Sequence, residues 1–390
     1  MRPAVLRRYF VYAGGSSCVL YSSVFFVFYE EHLGLSVAAI LALQSYNTGL
    51  RALLDLPLGG LADRVSRRGC LLWGALCLVA ASTTLVFFPV LAAAWVAETL
   101  MAFNSALKSG ADSALLYDAL DAEGRSDLYA FGESRAQAIA SVGSGFAAVA
   151  GGLLAAVDLR LPYLMTAVVA LLTALVVLGL PDARPAAHAG RSKRPLRDAA
   201  RRVVRSRSLL WVFALMVFGV VVSHVYFYLQ QPFLRDVGVS VALFGVVFAA
   251  TKLVTALTAN VAYRVEATLG ERGTAALMGA VPAVGLGAMA LATGPLGAVW
   301  ILTRGLLDGL WMPLSNIYVN RRVESALRAT TLSLQSVVGR LTLASVLALM
   351  GAATARVPVS DILLASAGAA VVLGAALVWL RPASESPRGV

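Results

Sequence analysis

The sequence predicts an all-α polytopic membrane protein, with twelve transmembrane helices in two six-helix bundles related by pseudo-two-fold symmetry. Three observations point there. The 390 residues are 59% hydrophobic and only 14% charged, whereas a soluble domain carries about 25% charged residues. Apolar runs of about 20 residues, enough for a helix to cross the hydrocarbon core, recur from end to end. These runs are solid rather than alternating, which argues against a β-barrel.

The expected spans follow in order, with ends placed to within several residues. Span 1 covers 9–33 and lacks the small-residue cleavage site of a signal peptide, so it reads as a retained helix. Spans 2 to 6 cover 37–61, 69–90, 91–118, 129–157 and 161–180. Spans 7 to 12 cover 208–234, 240–265, 273–293, 295–319, 329–353 and 359–380. Several exceed the membrane thickness, so tilt is expected. The Pro-, Ala- and Arg-rich stretch 181–207 reads as a basic linker between an N-terminal bundle, 1–180, and a C-terminal bundle, 208–390.

The net charge of +11 has a topological explanation. With the N-terminus inside, the inner segments hold 23 Lys and Arg residues and the outer loops only Arg160, Arg235 and Arg356. That asymmetry predicts both termini in the cytoplasm of a plasma (inner) membrane protein and makes nucleic-acid binding unnecessary. The linker's nine basic residues suit a solvated inner loop or contact with anionic lipid. The three cysteines, Cys18, Cys70 and Cys77, are too scattered for a metal set. No phosphate loop or hydrolase motif is present, so no cofactor, metal or catalytic residue is expected and the protein does not read as an enzyme.

The halves echo each other. "ADRV" at 62–65 matches "AYRV" at 262–265, and "SRAQ" at 134–137 parallels "LRAT" at 327–330. Spans 3, 6, 9 and 12 have no ionisable residue in their cores and read as lipid-facing supports. The other eight carry the intramembrane charges and surround a polar interior.

"GGLADRVSRR", 59–68, resembles the signature between helices 2 and 3 of the major facilitator superfamily, with Ser66 where a glycine is usual. "SGADSALLYDAL" (109–120) and "VNRRVESALRATTLSLQSVVGRL" (319–341) look like further blocks of it, and "DLPLGGLADR" is similar to a form found in its drug-exporter branch. The resemblance implies that fold, a monomer, and a gating rather than substrate role for the motif. Gly59, Gly60 and Leu61 would shape the exit from span 2. Asp63 would meet a positive helix end, that of span 11. Arg64, Arg67 and Arg68 would pair with acids at the inner end of span 4, Asp118 above all. Asp55, close by, is grouped with them. The glycine-proline block of proton antiporters survives in span 5 only as Gly151 and Gly152, with Ala147 and Ala148 in place of its first half.

Three charge pairs share a spacing of four: Arg51 and Asp55, Lys108 and Asp112, Arg304 and Asp308. This spacing puts both members on one helix face, where they neutralise each other. The functional alternative is proton coupling by a desolvated carboxylate. Glu98, with no cation at i±3 or i±4, is the leading candidate, followed by Asp308, Asp112 and the titratable His224. Arg135, Lys252 and Arg340 are further pathway cations. Gln44, Tyr46, Asn47, Asn104, Tyr226, Tyr228, Trp311 and Asn316 are polar or aromatic candidates for the substrate pathway, each weighed against plain helix–helix hydrogen bonding. Interfacial anchoring competes for Tyr228, Gln230 and Gln231.

The expected partners are a small-molecule substrate, protons and the lipid bilayer. The expected function is secondary active transport by alternating access: proton-coupled export of a hydrophobic or amphipathic compound. Proton-coupled uptake of a polar small molecule is the alternative, and a non-transporting receptor or lipid scramblase on the same fold is the third possibility.

Overall fold

The computed structural model describes residues 4–62, 66–182, 201, 203–323 and 325–382. Among these there is no strand, and almost everything outside short turns is helical. The chain divides into two compact units: Met1–Ala189 with Val239–Ala249, and Gly190–Gly238 with Ala250–Val390. Most of the expected linker, 183–200, lies outside the described residues.

The first unit holds α1 (Ala4–Ser17), α2 (Phe25–Glu31), α3 (Val37–Ala62), α4 (Arg67–Phe87), α5 (Leu91–Lys108), α6 (Ala111–Ala122), α7 (Tyr129–Ala155) and α8 (Leu161–Leu178). Expected span 1 is not one straight helix: a 3-10 turn at Leu20–Ser23 precedes α2, and the bend is 46°. Helix α4 starts at Ser66, whose Oγ accepts a hydrogen bond from the Gly69 amide at 2.8 Å. The residue that departs from the family motif is therefore an N-cap, supplying an acceptor that glycine lacks. α4 packs along α5 and α8, α3 along α5, and α1 along α7. A core of Leu6, Tyr9, Tyr12, Leu71, Leu107, Leu116 and Val177 fills one end of this unit.

Expected span 4 is also broken. α5 ends at Lys108, Gly110 takes φ 78, and α6 begins at Ala111. Glycine occupies this left-handed conformation without the Cβ penalty other residues meet. The break puts Lys108 and Asp112 on successive helices rather than a turn apart on one, while leaving the two charges within electrostatic reach of each other. Lys108 Nζ also donates to Ser16 Oγ at 2.9 Å and lies over the Tyr12 ring.

The second unit holds α9 (Arg207–Asp236), most of α10 (Val241–Leu291), α11 (Leu302–Arg322), α12 (Ser325–Thr354) and α13 (Val359–Trp379). α9 is its centre, packed against α11, α12 and α13. The α10 element runs for 51 residues, about 77 Å at 1.5 Å per residue and far more than one crossing needs. Gly270, at φ 63 and ψ −176, breaks it into two helices with almost no loop between them.

Seven described helices are long and apolar enough to cross a membrane, or eight if the bent α1–α2 pair counts as one span, and the 51-residue element is one of the seven. The expected count of twelve exceeds this. The elements outside the seven include α3, α5 and α11, whose runs are interrupted by Arg51 and Asp55, by Glu98, and by Arg304 and Asp308. Apolar side chains crowd the outer faces of α8 and α13, with Leu171, Leu172, Leu175, Val371, Val372 and Leu373 all exposed.

Candidate functional site

Two buried polar constellations stand out, one in each unit. In the first, α5 carries Glu98, only 2% exposed. Tyr29 of α2 donates its hydroxyl to Glu98 Oε1 at 2.7 Å. Gln44 of α3 donates its amide to the same oxygen at 2.6 Å, and Asn47 donates to the Glu98 carbonyl at 2.8 Å. Gln44 and Asn47 are three apart on α3 and so share a face. Beside them, Tyr46 bonds Thr99 at 2.8 Å and packs edge-on to Trp95. Tyr21 and Tyr163 stack at 4.5 Å, and Phe28 lies 4.0 Å from Tyr163. Tyr29 and Gln44, the two donors to this carboxylate, are both neutral. The sequence singled out Glu98, Gln44, Tyr46 and Asn47 but missed Tyr29, because no local spacing connects α2 to α5.

In the second unit, Arg304 and Asp308 form an ion pair of 3.4 Å along α11, with both side chains about a tenth exposed or less. Arg304 also lies 5.1 Å from the Phe227 ring and within 3.5 Å of Gln230 Oε1. Asp308 accepts a hydrogen bond from Trp311 Nε1 at 3.3 Å. Lys252 of α10 is within electrostatic reach of both Arg304 and Asp308. α11 is held in place by its opposite side. Gly305 and Gly309 press on α10, where a Cβ would stand 2.6 Å from the carbonyl oxygens of Thr251 and Thr255 respectively. Successive helical residues differ by about 100° in direction. Each glycine thus faces the neighbour while the charge just before it faces the polar cluster. Phe227 and Gln230 escaped the sequence reading as partners of Arg304.

Other candidates serve different ends. Tyr226 is fully buried and joins three segments, bonding Thr303 Oγ1 at 2.9 Å and the Pro282 carbonyl at 3.2 Å. Tyr228, Gln230 and Gln231 are buried, which corrects the interfacial-anchoring alternative: α9 is enclosed by α11, α12 and α13. His224 bonds the Val220 carbonyl of its own helix at 2.8 Å. Asn104 packs against Gly74 of α4. Asn316 and Arg135 are exposed on α11 and α7. Arg51 and Asp55 lie a turn apart in α3, and Arg340 lies in α12. Gly151 and Gly152 sit at close helix contacts: Gly152 faces Gly245 of α10, and a Cβ on Gly245 would overlap the Ala148 carbonyl.

Ionic clusters tie the helix ends together. In the first unit Arg67 pairs with Asp118 of α6 and donates to the Ala114 carbonyl at 2.8 Å. Arg68 reaches Asp182 at 3.5 Å, and Ser66 Oγ donates to the same carboxylate at 2.8 Å. Gly59, Gly60 and Leu61 belong to the last turns of α3, whereas Asp63 and Arg64 lie outside the described residues. In the second unit Glu271 accepts from Arg322 at 2.5 Å and Arg381 at 3.1 Å, while Arg321 pairs with Glu266 at 2.6 Å. Among the described residues no group of three His, Cys, Asp or Glu side chains is placed to hold a metal.

The sequence matches the profile of the Major Facilitator Superfamily over residues 8–348. No curated protein matches it in sequence. The fold is similar to the crystal structure of the nucleoside transporter NupG, with a TM-score of 0.82 at 15% identity, covering 98% of this chain and 100% of that one. It is also similar to the peptide transporter POT in complex with sulfate, with a TM-score of 0.73 at 16% identity over 97% and 94% of the two chains. A POT family transporter in complex with 5-aminolevulinic acid gives 0.69 at 13% identity over 97% and 94%. The charged signature at 59–68, the helical architecture and a profile match over most of the length converge: this chain belongs to the Major Facilitator Superfamily, and it is a multi-pass membrane transporter rather than an enzyme.

Proposed function

We propose that the protein takes up a polar small organic molecule together with protons, by alternating access across the plasma membrane. In this reading the monomer crosses the bilayer twelve times as two six-helix bundles, 1–180 and 208–390, with both termini in the cytoplasm. The observation that carries it is the Glu98 cluster. A carboxylate buried among neutral donors can gain or lose a proton without stranding a cation beside it. The Arg304–Asp308 pair, backed by Gln230, Phe227 and Trp311, supplies the ionic and aromatic groups that hold a polar solute.

Export of a hydrophobic compound, the first expectation from sequence, has weaker support. The buried groups that converge are charged and hydrogen-bonding, and the structurally similar proteins are named as nucleoside and peptide transporters. The exporter-type glycine-proline block is incomplete. The test is flux into proteoliposomes under an inward proton gradient, with a panel of nucleosides, short peptides and lipophilic cations. We expect gradient-driven accumulation of a polar member, retained exchange but lost accumulation in Glu98→Gln, and weakened substrate affinity in Asp308→Asn. Accumulation unaffected by Glu98→Gln would remove the coupling assignment. Gradient-driven extrusion of the lipophilic cations would restore export, and absence of any solute flux would favour a receptor or scramblase.

A further inference from the structure

A groove of ≈ 610 Å³ runs between the second half of α10 and α13, lying entirely in the second unit. That volume lies within the range of about 300–1,000 Å³ in which proteins seat small organic groups. Its floor is backbone: a Cβ on Gly279 would stand 2.8 Å from the Gly374 Cα. Its walls are the short side chains of Ala276, Ala280 and Ala375. Arg272 and Trp379 also line it, and both are exposed. The adjoining face of α13 is apolar and open, with Val372 67% and Trp379 83% exposed. In a membrane protein lipid covers such a face.

The charge at Arg272 makes the groove more than a slot. Glu271, its sequence neighbour, is already bonded to both Arg322 and Arg381. Among the described residues Arg272 has no ion-pair partner, so three guanidinium groups accompany one carboxylate and positive charge is in excess. A guanidinium is well shaped for a phosphate oxygen pair. An indole belongs at the headgroup level. A groove lined by alanine and valine takes an apolar chain and offers it no hydrogen bond.

We propose that this groove is a binding site for one anionic phospholipid of the surrounding bilayer, with an acyl chain along Gly279 and Gly374 and the phosphate on Arg272. The site is independent of the transported solute. It gives the second unit a lipid contact that depends on headgroup charge at the same end of the helices as the Glu271 cluster.

The experiment uses the full chain in mild detergent, titrated with phosphatidylglycerol or phosphatidylcholine and read by native mass spectrometry. Wild type is expected to retain one phosphatidylglycerol preferentially. Loss of one basic contact at a membrane surface is worth about 1 kcal/mol, so Arg272→Gln is expected to lower that retention by about fivefold. Ala280→Leu, which fills the groove from an exposed position, is expected to remove it. Arg264→Gln, an exposed arginine in the first half of α10 outside the groove, is expected to change nothing. Equal retention of the two lipids by wild type would overturn the proposal, as would equal losses in Arg272→Gln and Arg264→Gln. Wild-type retention by Ala280→Leu would overturn it too.

Discussion

The two units tie the same places together with opposite charges. In the first, a base at the start of α4, Arg67, meets an acid on α6, Asp118, 51 residues later. In the second, an acid just past the Gly270 break, Glu271, meets a base at the end of α11, Arg322, also 51 residues later. The first pair joins the start of α4 to α6, and the second joins the start of the second half of α10 to the end of α11. The spacing is the same and the polarity is opposite. Each unit thus has a neutralised contact of the same span, made with either arrangement of signs. The surroundings also differ. Glu271 serves two arginines, and Arg322 bonds Ser208 at 2.7 Å and lies over the rings of Trp211 and Tyr318. Among the described residues Asp118 has Arg67 as its one ionic partner.

This contrast ranks the expected losses. Glu271→Gln should be the most damaging change at either clasp, because it leaves Arg322 and Arg381 facing each other beside Arg272. Removing one partner of a buried pair costs about 3–5 kcal/mol, and these side chains are still 15–18% exposed, so a loss of about 2–3 kcal/mol is expected in thermal unfolding of the detergent-solubilised protein. If Asp118→Asn proves equally costly, the second clasp is no more cooperative than the first.

Reversing the first clasp is the next largest effect. Arg67→Glu places two acids together and should destabilise. Adding Asp118→Arg converts the pair to the polarity of the second unit and should recover most of the loss, with a coupling of about 1–2 kcal/mol. Failure to recover would mean that the second hydrogen bond of Arg67, to the Ala114 carbonyl, fixes the sign. Ser66→Ala should then cost about 1 kcal/mol, the usual worth of an N-cap. It also removes the hydroxyl that reaches Asp182, whereas Ser66→Gly, the family form, should be milder at α4.

An exposed pair marks the bottom of the scale. Arg160 bonds Asp158 in the turn between α7 and α8, and these hydrogen bonds hold the Asp158 carboxyl down to about 2. A folded-state value below the unfolded one means that any stabilisation is present above the ordinary aspartate range and is lost only as pH falls through about 2. Exposed pairs contribute little. Asp158→Asn should therefore leave the midpoint of thermal unfolding unchanged at neutral pH, and a clear drop would show that the α7–α8 turn is under more tension than its exposure suggests.

Much of this was legible in the chain itself. The apolar runs and the signature at 59–68 were enough for the helical class and the superfamily. Glu98 drew attention by lacking a local counter-charge, and Arg304 and Asp308 by their spacing. Other features were hidden for physical reasons. A break at Gly110 separates Lys108 from Asp112, and nothing in a count of four reveals that one intervening glycine is left-handed. Tyr29 reaches Glu98 across 69 positions of sequence, and Gln230 reaches Arg304 across 74, distances over which periodicity carries no information. The second clasp was hidden because "AYRV" repeats "ADRV" without its acid, while the second unit carries the equivalent contact with its signs exchanged.

The glycine face of α11 has a consequence for how this transporter can change. Gly305 and Gly309 admit no side chain against the Thr251 and Thr255 carbonyls, so the helix can neither roll nor slide without opening its seam. If α11 presents the proposed solute site, that packing makes a shift of the helix a costly route to new solute preferences. Under the proposed function they would come from exchanging the residues it already presents, Arg304, Asp308 and Trp311. On that proposal, a mutational scan of α11 should divide between two glycines that tolerate no larger residue and three neighbours whose exchange alters what is carried.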